Sequence, residues 1–350
     1  MGERENLYAV IMAGGRGERF WPAGRSSRPK QLLPLASRKT MLEDTVQRLF
    51  PLIAPERLFV ITNVRLVDEV RKILPIPPEN VVGEPVGRDT APCVALAAAL
   101  VLRRDPEATM IMLPADHVIR PAKAFQERLQ AAAQAAESGA LVTLGIVPAY
   151  PATGYGYIHA GKTTADGFAE VLEFKEKPDR NTAEKLVADG NYFWNSGMFV
   201  WKASSIVSEI DRQLPELGKK LHNWASGSDH NLDFAECPKI SIDYGVMEKA
   251  EKVQVGKIDF YWNDLGSWSS IKDVLTGDEA GNAVRGNAVL LDAFGNVVYG
   301  DDDTLIGVIG LRDTAVVKSG NGILVCPLAD EQKVKLLVEK IRNENLEKYL

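Results

Sequence analysis

The sequence predicts an α/β protein: a mainly parallel sheet flanked by helices, followed by a small β module and a closing helix. Three observations carry this. Short apolar runs alternate with helix-like patterns over roughly the first 150 residues; the first run, "YAVIMAGGRGERF", empties into a glycine loop; and after Asn282 the chain becomes short β runs punctuated by Gly, Asn and Asp. Strands separated by helices argue for βαβ units with right-handed crossovers, which places the loops after the strands along one carboxyl edge.

In chain order, Tyr8–Met12, Leu58–Thr62, Met110–Leu113 and Leu141–Val147 read as buried strands. Between them Thr40–Phe50, Arg65–Ile73, Ala91–Arg103 and Ala122–Ser138 carry helical periodicity. After Pro151, Tyr155–Ala160, Ala169–Lys175 and Phe193–Trp201 are aromatic-rich strands, and Ser204–Gln213 and Ile242–Ala250 read as helices. The stretch "LTGDEAGNAVRGN" has three glycines and little apolar pattern, which suggests a boundary there; the division expected is 1–275 and 276–350. The β runs that follow suggest a few turns of a β-helix or a meander, and Ala329–Tyr349 closes the chain as a charged amphipathic helix.

Composition excludes several classes. At 350 residues, 45% hydrophobic, 25% charged and net charge −6, the chain reads as a soluble globular protein without a nucleic-acid footprint. Cys93, Cys237 and Cys326 are far apart and lack metal or disulfide spacing, so they read as buried residues or free thiols. The polar N-terminus shows no signal-peptide pattern, and the longest apolar run, Ala91 to Leu102, is too short to span a bilayer. A cytoplasmic protein is expected.

The glycine loop fails two familiar tests. After Gly15-Arg16-Gly17-Glu18-Arg19 comes Phe20, so the third glycine of a dinucleotide fingerprint is missing; no lysine and hydroxyl follow Gly17, so it is not a Walker loop. Glycines alone fit a tight turn with solvated arginines. Arg16, Arg19 and the downstream Lys30, with Pro22 interrupting, point instead to an anion held by bare amides and cations.

G-G-x-G-x-R-F-x-P followed by P-K-Q resembles the signature of the sugar-1-phosphate nucleotidylyltransferases, and "FWPAGRSSRPKQLLPL" looks like their mannose-1-phosphate guanylyltransferase branch. The resemblance continues in register through "GEPVGRDTAPCVALAAAL", "LPADHVI", "TGYGYI", "FKEKPD", "NSGMFVW", "SIDYGVMEK" and "WNDLGSW", covering about the first 270 residues. It implies a Rossmann-like, GT-A type mixed sheet with a left-handed β-helix-like module. The implied reaction is attack by mannose 1-phosphate on the α-phosphorus of GTP, giving GDP-mannose and pyrophosphate. Such a reaction needs positioning, cations and metal more than a strong base, because the attacking phosphate is already anionic.

The resemblance assigns roles as follows. Gly14, Gly15, Gly17, Arg16, Arg19 and Lys30 hold the triphosphate; Glu84, Arg88, Asp89, Thr90 and Ala91 meet the nucleotide; Lys177 holds the sugar phosphate. Glu176, Gly156, Asn195 with Ser196, and Asp264 serve the sugar. Asp116 and Asp264 form a hard oxygen site suited to Mg²⁺. His117 invites a metal reading, yet the four histidines show no zinc spacing and a lone histidine is more often structural. Asp89 stands where the branch commonly has asparagine, and Gly24 where it commonly has serine, a change expected to matter little. The chain stops at Leu350, without room for the isomerase domain that some members carry, and a homodimer through the β module is expected by analogy. Two alternatives stay open: the same chemistry with another nucleotide or manno-configured sugar phosphate, and a catalytically silent sensor of the sugar nucleotide. The sensor should have lost cations or metal carboxylates, and this chain keeps Arg16, Arg19, Lys30, Asp116, Lys177 and Asp264.

Overall fold

A computed structural model describes residues 6–15 and 17–350 of the protein. Two compact units emerge. The first takes in the chain up to Gly14, Arg48–Pro114 and Ile119–Tyr261; the second takes in Gly15–Gln47, Ala115–Val118 and Trp262–Leu350. Packing therefore groups residues differently from the linear division at 275/276. The physical reason is apolar: Phe20, Trp21, Leu33 and Leu35, from the signature segment, are buried in one core with Trp268, Val297, Val317, Val334 and Val338.

In the first unit the strands are β1 (Leu7–Ala13), β2 (Leu58–Asn63), β3 (Val81–Glu84), β4 (Thr109–Pro114), β6 (Leu141–Ile146), β7 (Tyr157–Thr163), β8 (Phe168–Lys175), β9 (Tyr192–Lys202) and β10 (Val253–Lys257). The short strands β5 (Val118–Arg120) and β11 (Tyr261–Asn263) lie where the chain passes from one unit to the other. Nine strands form one sheet in the order β3-β2-β1-β4-β9-β6-β10-β8-β7. Its first four strands pair in parallel, and β9 enters antiparallel to both β4 and β6. All seven residues of β1 are buried or nearly so, which is why it reads as an unbroken apolar run: both faces of a central parallel strand are covered.

Helices α1 (Met41–Leu49), α2 (Val67–Ile73), α3 (Thr90–Leu102) and α4 (Ala122–Ala136) fall within two or three residues of the periodicity at each end. Helix α3 is apolar all round because it is buried all round, packed against α6 (Ala203–Gln213) and α7 (Pro215–Ala225). Helix α5 (Arg180–Asp189) lies between two of the aromatic-rich strands, where the sequence shows less clear helices, and α7 is not among the helices read from the sequence. The helix expected over Ile242–Ala250 is a single π-helical turn, Asp243–Met247. Among the described residues no helix is long and apolar enough to cross a membrane, and the three cysteines are free, two of them buried.

The second unit stacks parallel strands. β12 (Ala283–Arg285), β14 (Val297–Tyr299) and β16 (Thr314–Ser319) pair in parallel, as do β13 (Asn287–Leu291) and β15 (Leu305–Ile309), and β17 (Gly322–Pro327) returns antiparallel on β16. Each turn of this stack is pinned by a buried asparagine. Asn296, fully buried, donates from its backbone and from Nδ2 to Asn282 Oδ1 at 2.9 and 3.0 Å, donates to the Leu311 carbonyl and accepts from the Thr314 amide. The expected closing helix is broken: a 3-10 segment Leu328–Lys333, then α8 (Val334–Asn343). Val334 and Val338 of α8 are 3% exposed and pack into the core beside Phe20 and Trp21, whose indole donates to the Tyr349 carbonyl at 2.8 Å.

Replacing Asn296 with Ala leaves the Thr314 amide without its acceptor and the Leu311 carbonyl without its side-chain donor, and removes one of the two bonds to Asn282 Oδ1. The change should cost about 2–3 kcal/mol. Urea unfolding should show a lower midpoint at unchanged slope; an unchanged midpoint would show that the ladder does not hold the stack.

Candidate active site

In the second unit the glycine loop is folded against Pro29-Lys30-Gln31. Gly17 has φ +64°, and a Cβ there would lie 2.4 Å from the Lys30 backbone nitrogen, so only glycine fits. Gln31 Nε2 donates to the Gly15 carbonyl at 3.2 Å. Gly24 matters more than its departure from the family pattern suggests: a Cβ there would lie 2.5 Å from the Gly17 carbonyl oxygen, which this backbone does not accommodate. Arg16 lies outside the described residues.

This folding carries Lys30 inward until it is 7% exposed. Its ammonium donates to Asp116 Oδ2 at 2.7 Å and to the Asp264 carbonyl. Burial, the largest single influence, would raise the Asp116 carboxyl; the Lys30 charge, His117 and the hydrogen bonds from Lys30 and the backbone together overcome it, and the group is held below its ordinary range. Arg19 donates to the Gly266 carbonyl at 3.3 Å. Gly17, Glu18, Arg19, Lys30, Asp116, Asp264 and Lys335 line one cavity of about 340 Å³. His117, also on the cavity wall, accepts from the Trp262 indole at 3.2 Å, a structural tie consistent with its lack of zinc spacing. Asp116 and Asp264 suit a hard cation such as Mg²⁺ because both are carboxylate oxygen donors on one cavity, with Lys30 engaging Oδ2 of Asp116. Among the described residues no group of three or more His, Cys, Asp or Glu side chains is placed to hold a metal ion.

The first unit holds two further groups of predicted residues. Glu84 ends β3, 6% exposed, with Oε1 buried and unpartnered. Gly14 lies against it: a Cβ on Gly14 would be 3.3 Å from Glu84 Oε2. Burial pushes the Glu84 carboxyl up to about 7, partly opposed by a hydrogen bond with Cys93. Asp89 caps α3 from a positive φ of 67°, its carboxylate accepting from the Thr90 amide at 2.8 Å. Thr90 Oγ1 accepts from the Ile242 amide, the Ala91 amide donates to the Ile240 carbonyl, and Arg88 donates to the Ala235 carbonyl. These neighbours of Glu84 therefore tie the start of α3 to the chain around residue 240.

The other group surrounds Asn195. Its backbone amide donates to the Gly156 carbonyl at 2.8 Å, and a Cβ on Gly156 would lie 2.5 Å from Glu176 Oε2. The Asn195 amide donates to Asp243 Oδ1 at 2.7 Å and its Oδ1 accepts from the Gly197 amide at 3.1 Å, which leaves one N–H for a ligand. Lys177, at a positive φ of 42°, pairs with Glu176; burial would lower its ammonium, but Glu176, Asp243 and Tyr244 together raise it. Ser196 is turned away: its hydroxyl donates to the Leu144 carbonyl at 2.6 Å.

Sequence reasoning missed two residues. Asp243 is pushed up to about 6 by burial and then by Glu176; it lies within "SIDYGVMEK", and an acid among apolar neighbours was its signal. Lys335 reaches the phosphate-loop cavity from α8 and had no local signal, being one lysine on the polar face of an amphipathic helix.

Cations and two carboxylates around a glycine loop in the second unit, and a buried acid at a strand end of the first, are each groups of the kind that nucleotide-handling transferases carry. The chain belongs to the nucleotidyl transferase family, which residues 8–281 match. Residues 286–341 match the MannoseP isomerase/GMP-like beta-helix domain. The chain is 39% identical over 359 residues to a putative mannose-1-phosphate guanylyltransferase of Vibrio cholerae, covering 97% of this chain and 75% of that one. It is 40% identical over 348 residues to the xanthan biosynthesis protein XanB of Xanthomonas campestris, covering 97% and 74%. The crystal structure of a mannose-1-phosphate geranyltransferase from Thermus thermophilus superposes with a TM-score of 0.90 at 38% identity, covering 96% of this chain and 99% of that one.

The Glu84 carboxyl has an observable cost. Its folded value, about 7, lies above the ordinary 4.5 of a glutamate, so the folded protein binds more protons between them and stability falls as pH rises from 4.5 through 7. The full loss is at most roughly 3 kcal/mol. Glu84→Gln should unfold at higher urea than wild type at pH 8 and show a smaller difference at pH 5; equal midpoints at both pH values would refute the buried acid.

Proposed function

We propose that this protein transfers GMP from GTP to α-D-mannose 1-phosphate, releasing pyrophosphate and forming GDP-mannose. The observation that carries the reading is the cavity in which Lys30 meets Asp116 and Asp264 beside the glycine loop. Relatives named as mannose-1-phosphate guanylyltransferases across almost the whole chain support the substrates.

In this reading Gly14, Gly15, Gly17, Arg16 and Arg19 bind the triphosphate through amides and charge, and Lys30 neutralises it from the buried side. Asp116 and Asp264 hold Mg²⁺, which when bound screens the phosphates and favours attack at the α-phosphorus. Glu84, ionised, accepts from the two N–H groups on the guanine edge. Lys177 receives the sugar phosphate; Asn195 donates to a sugar hydroxyl and Glu176 accepts from one. No side chain has to take a proton from the nucleophile, since the sugar phosphate is already charged, so catalysis consists of alignment and charge. We place the enzyme in the cytoplasm.

A homodimer is the proposed assembly. The outward row Val289, Leu291, Leu305 and Ile309 on β13 and β15 is exposed and uncharged, as a surface buried against a second copy would be. Sedimentation should give twice the chain mass at micromolar protein; a monomer at every concentration would contradict it.

Pyrophosphate release from a set of nucleotides and sugar phosphates tests the specificity. GTP with mannose 1-phosphate should have the highest kcat/KM, and faster turnover of UTP or dTTP with glucose 1-phosphate would overturn it. Asp264→Asn, and separately chelation of divalent metal, should abolish turnover with the thermal transition retained. Full activity after either would remove the metal site.

A further inference from the structure

The C-terminal helix is docked on the phosphate-loop segment, not merely appended to it. Val334 and Val338 bury into the core with Phe20 and Trp21, Arg342 pairs with Glu18 at 3.2 Å, and the Trp21 indole donates to the Tyr349 carbonyl. This seating fixes the backbone of α8, whose second residue, Lys335, lines the same cavity as Gly17, Arg19, Lys30, Asp116 and Asp264.

The cavity's cations are not equivalent. Lys30 is buried and committed to Asp116 and the Asp264 carbonyl. Arg19 is engaged by the Gly266 carbonyl. Glu18, the acid on the same segment, is taken by Arg342. Lys335 is exposed on the helix surface and has no hydrogen bond or ion pair among the described residues. Its ammonium is thus the described cavity cation left over for a ligand. The described lining carries Arg19, Lys30 and Lys335 against Glu18, Asp116 and Asp264, so it is balanced with Lys335 and acidic without it. A flexible ammonium at the exposed edge of the cavity is a point charge suited to phosphate oxygens.

We propose that Lys335 binds the terminal phosphates of GTP, the part that leaves as pyrophosphate, so that the C-terminal helix is a component of the active site. This rests on the nucleotidyl-transfer reading of the cavity. The exposed position of Lys335, against the buried Lys30, sets it at the outer phosphates, and mannose 1-phosphate and GDP-mannose lack that part of the ligand. The role also accounts for Trp21 in physical terms: it anchors the helix that presents the lysine.

The test is kinetics in both directions with the full chain. Lys335→Ala should raise KM for GTP and, in the reverse reaction, KM for pyrophosphate by about ten- to hundredfold, the range for losing one charge-assisted contact. GDP-mannose affinity should stay within twofold, the thermal transition should not move, and Lys335→Arg should recover most of the loss. If Lys335→Ala leaves both KM values within twofold while Asp264→Asn is inactive, the cavity reading stands and the assignment of Lys335 fails. If GDP-mannose binding weakens as much as pyrophosphate binding, Lys335 does not act on the leaving group and the proposal is equally overturned. If Asp264→Asn also retains full activity, the cavity reading itself falls, and Lys335 with it.

Discussion

Everything in the phosphate cavity depends on one nearly buried ammonium. Lys30 reaches its position because Gly17 lets the glycine loop pass against the Lys30 backbone at a distance no side chain would allow. Asp116 and the Asp264 carbonyl then converge on the ammonium from segments far away in sequence. Burying an ammonium costs free energy unless hydrogen-bonding partners replace the water it loses. Through these contacts it holds the Asp116 carboxylate and the Asp264 backbone on the wall of one cavity. On Asp116, Lys30, His117 and hydrogen bonds together overcome burial and lower the carboxyl.

The acids of the first unit follow the opposite rule. Glu84 and Asp243 are buried without a cation strong enough to offset desolvation, and both are pushed up, to about 7 and about 6. A buried acceptor oxygen without a partner, as on Glu84, is a stability cost that a ligand with N–H donors can relieve. Asn195 is prepared differently: Asp243 and the Gly197 amide occupy one end and one hydrogen of its amide, so its remaining N–H has a defined polarity before any sugar arrives.

Much of this was legible in the sequence because the signals are local. β1 ran unbroken into glycines, α3 was apolar on every side, and the asparagines and glycines of the C-terminal turns announced stacked short strands. The loop, Lys30, Asp116 and Asp264 were recognised through motif resemblance, and the structure shows why the motif is long: its glycines, its aromatic pair and its Pro-Lys-Gln touch one another. What was not legible depends on chain segments meeting. Thr90, Ala91 and Ser196 look like ligand contacts in a motif, yet their polar groups are tied to Ile242, Ile240 and Leu144. Lys335 looks like any helix-surface lysine until α8 docks on the loop. The linear boundary near residue 275 hid that the signature segment and the C-terminal module share a core.

The central claim is that Lys30, held by Asp116 and the Asp264 carbonyl, neutralises the triphosphate during guanylyl transfer. Pyrophosphate release from GTP and mannose 1-phosphate by Lys30→Ala measures it directly. The account predicts a kcat/KM lower by about ten- to hundredfold in protein that remains folded. A folded variant with the kcat/KM of the wild type would contradict it.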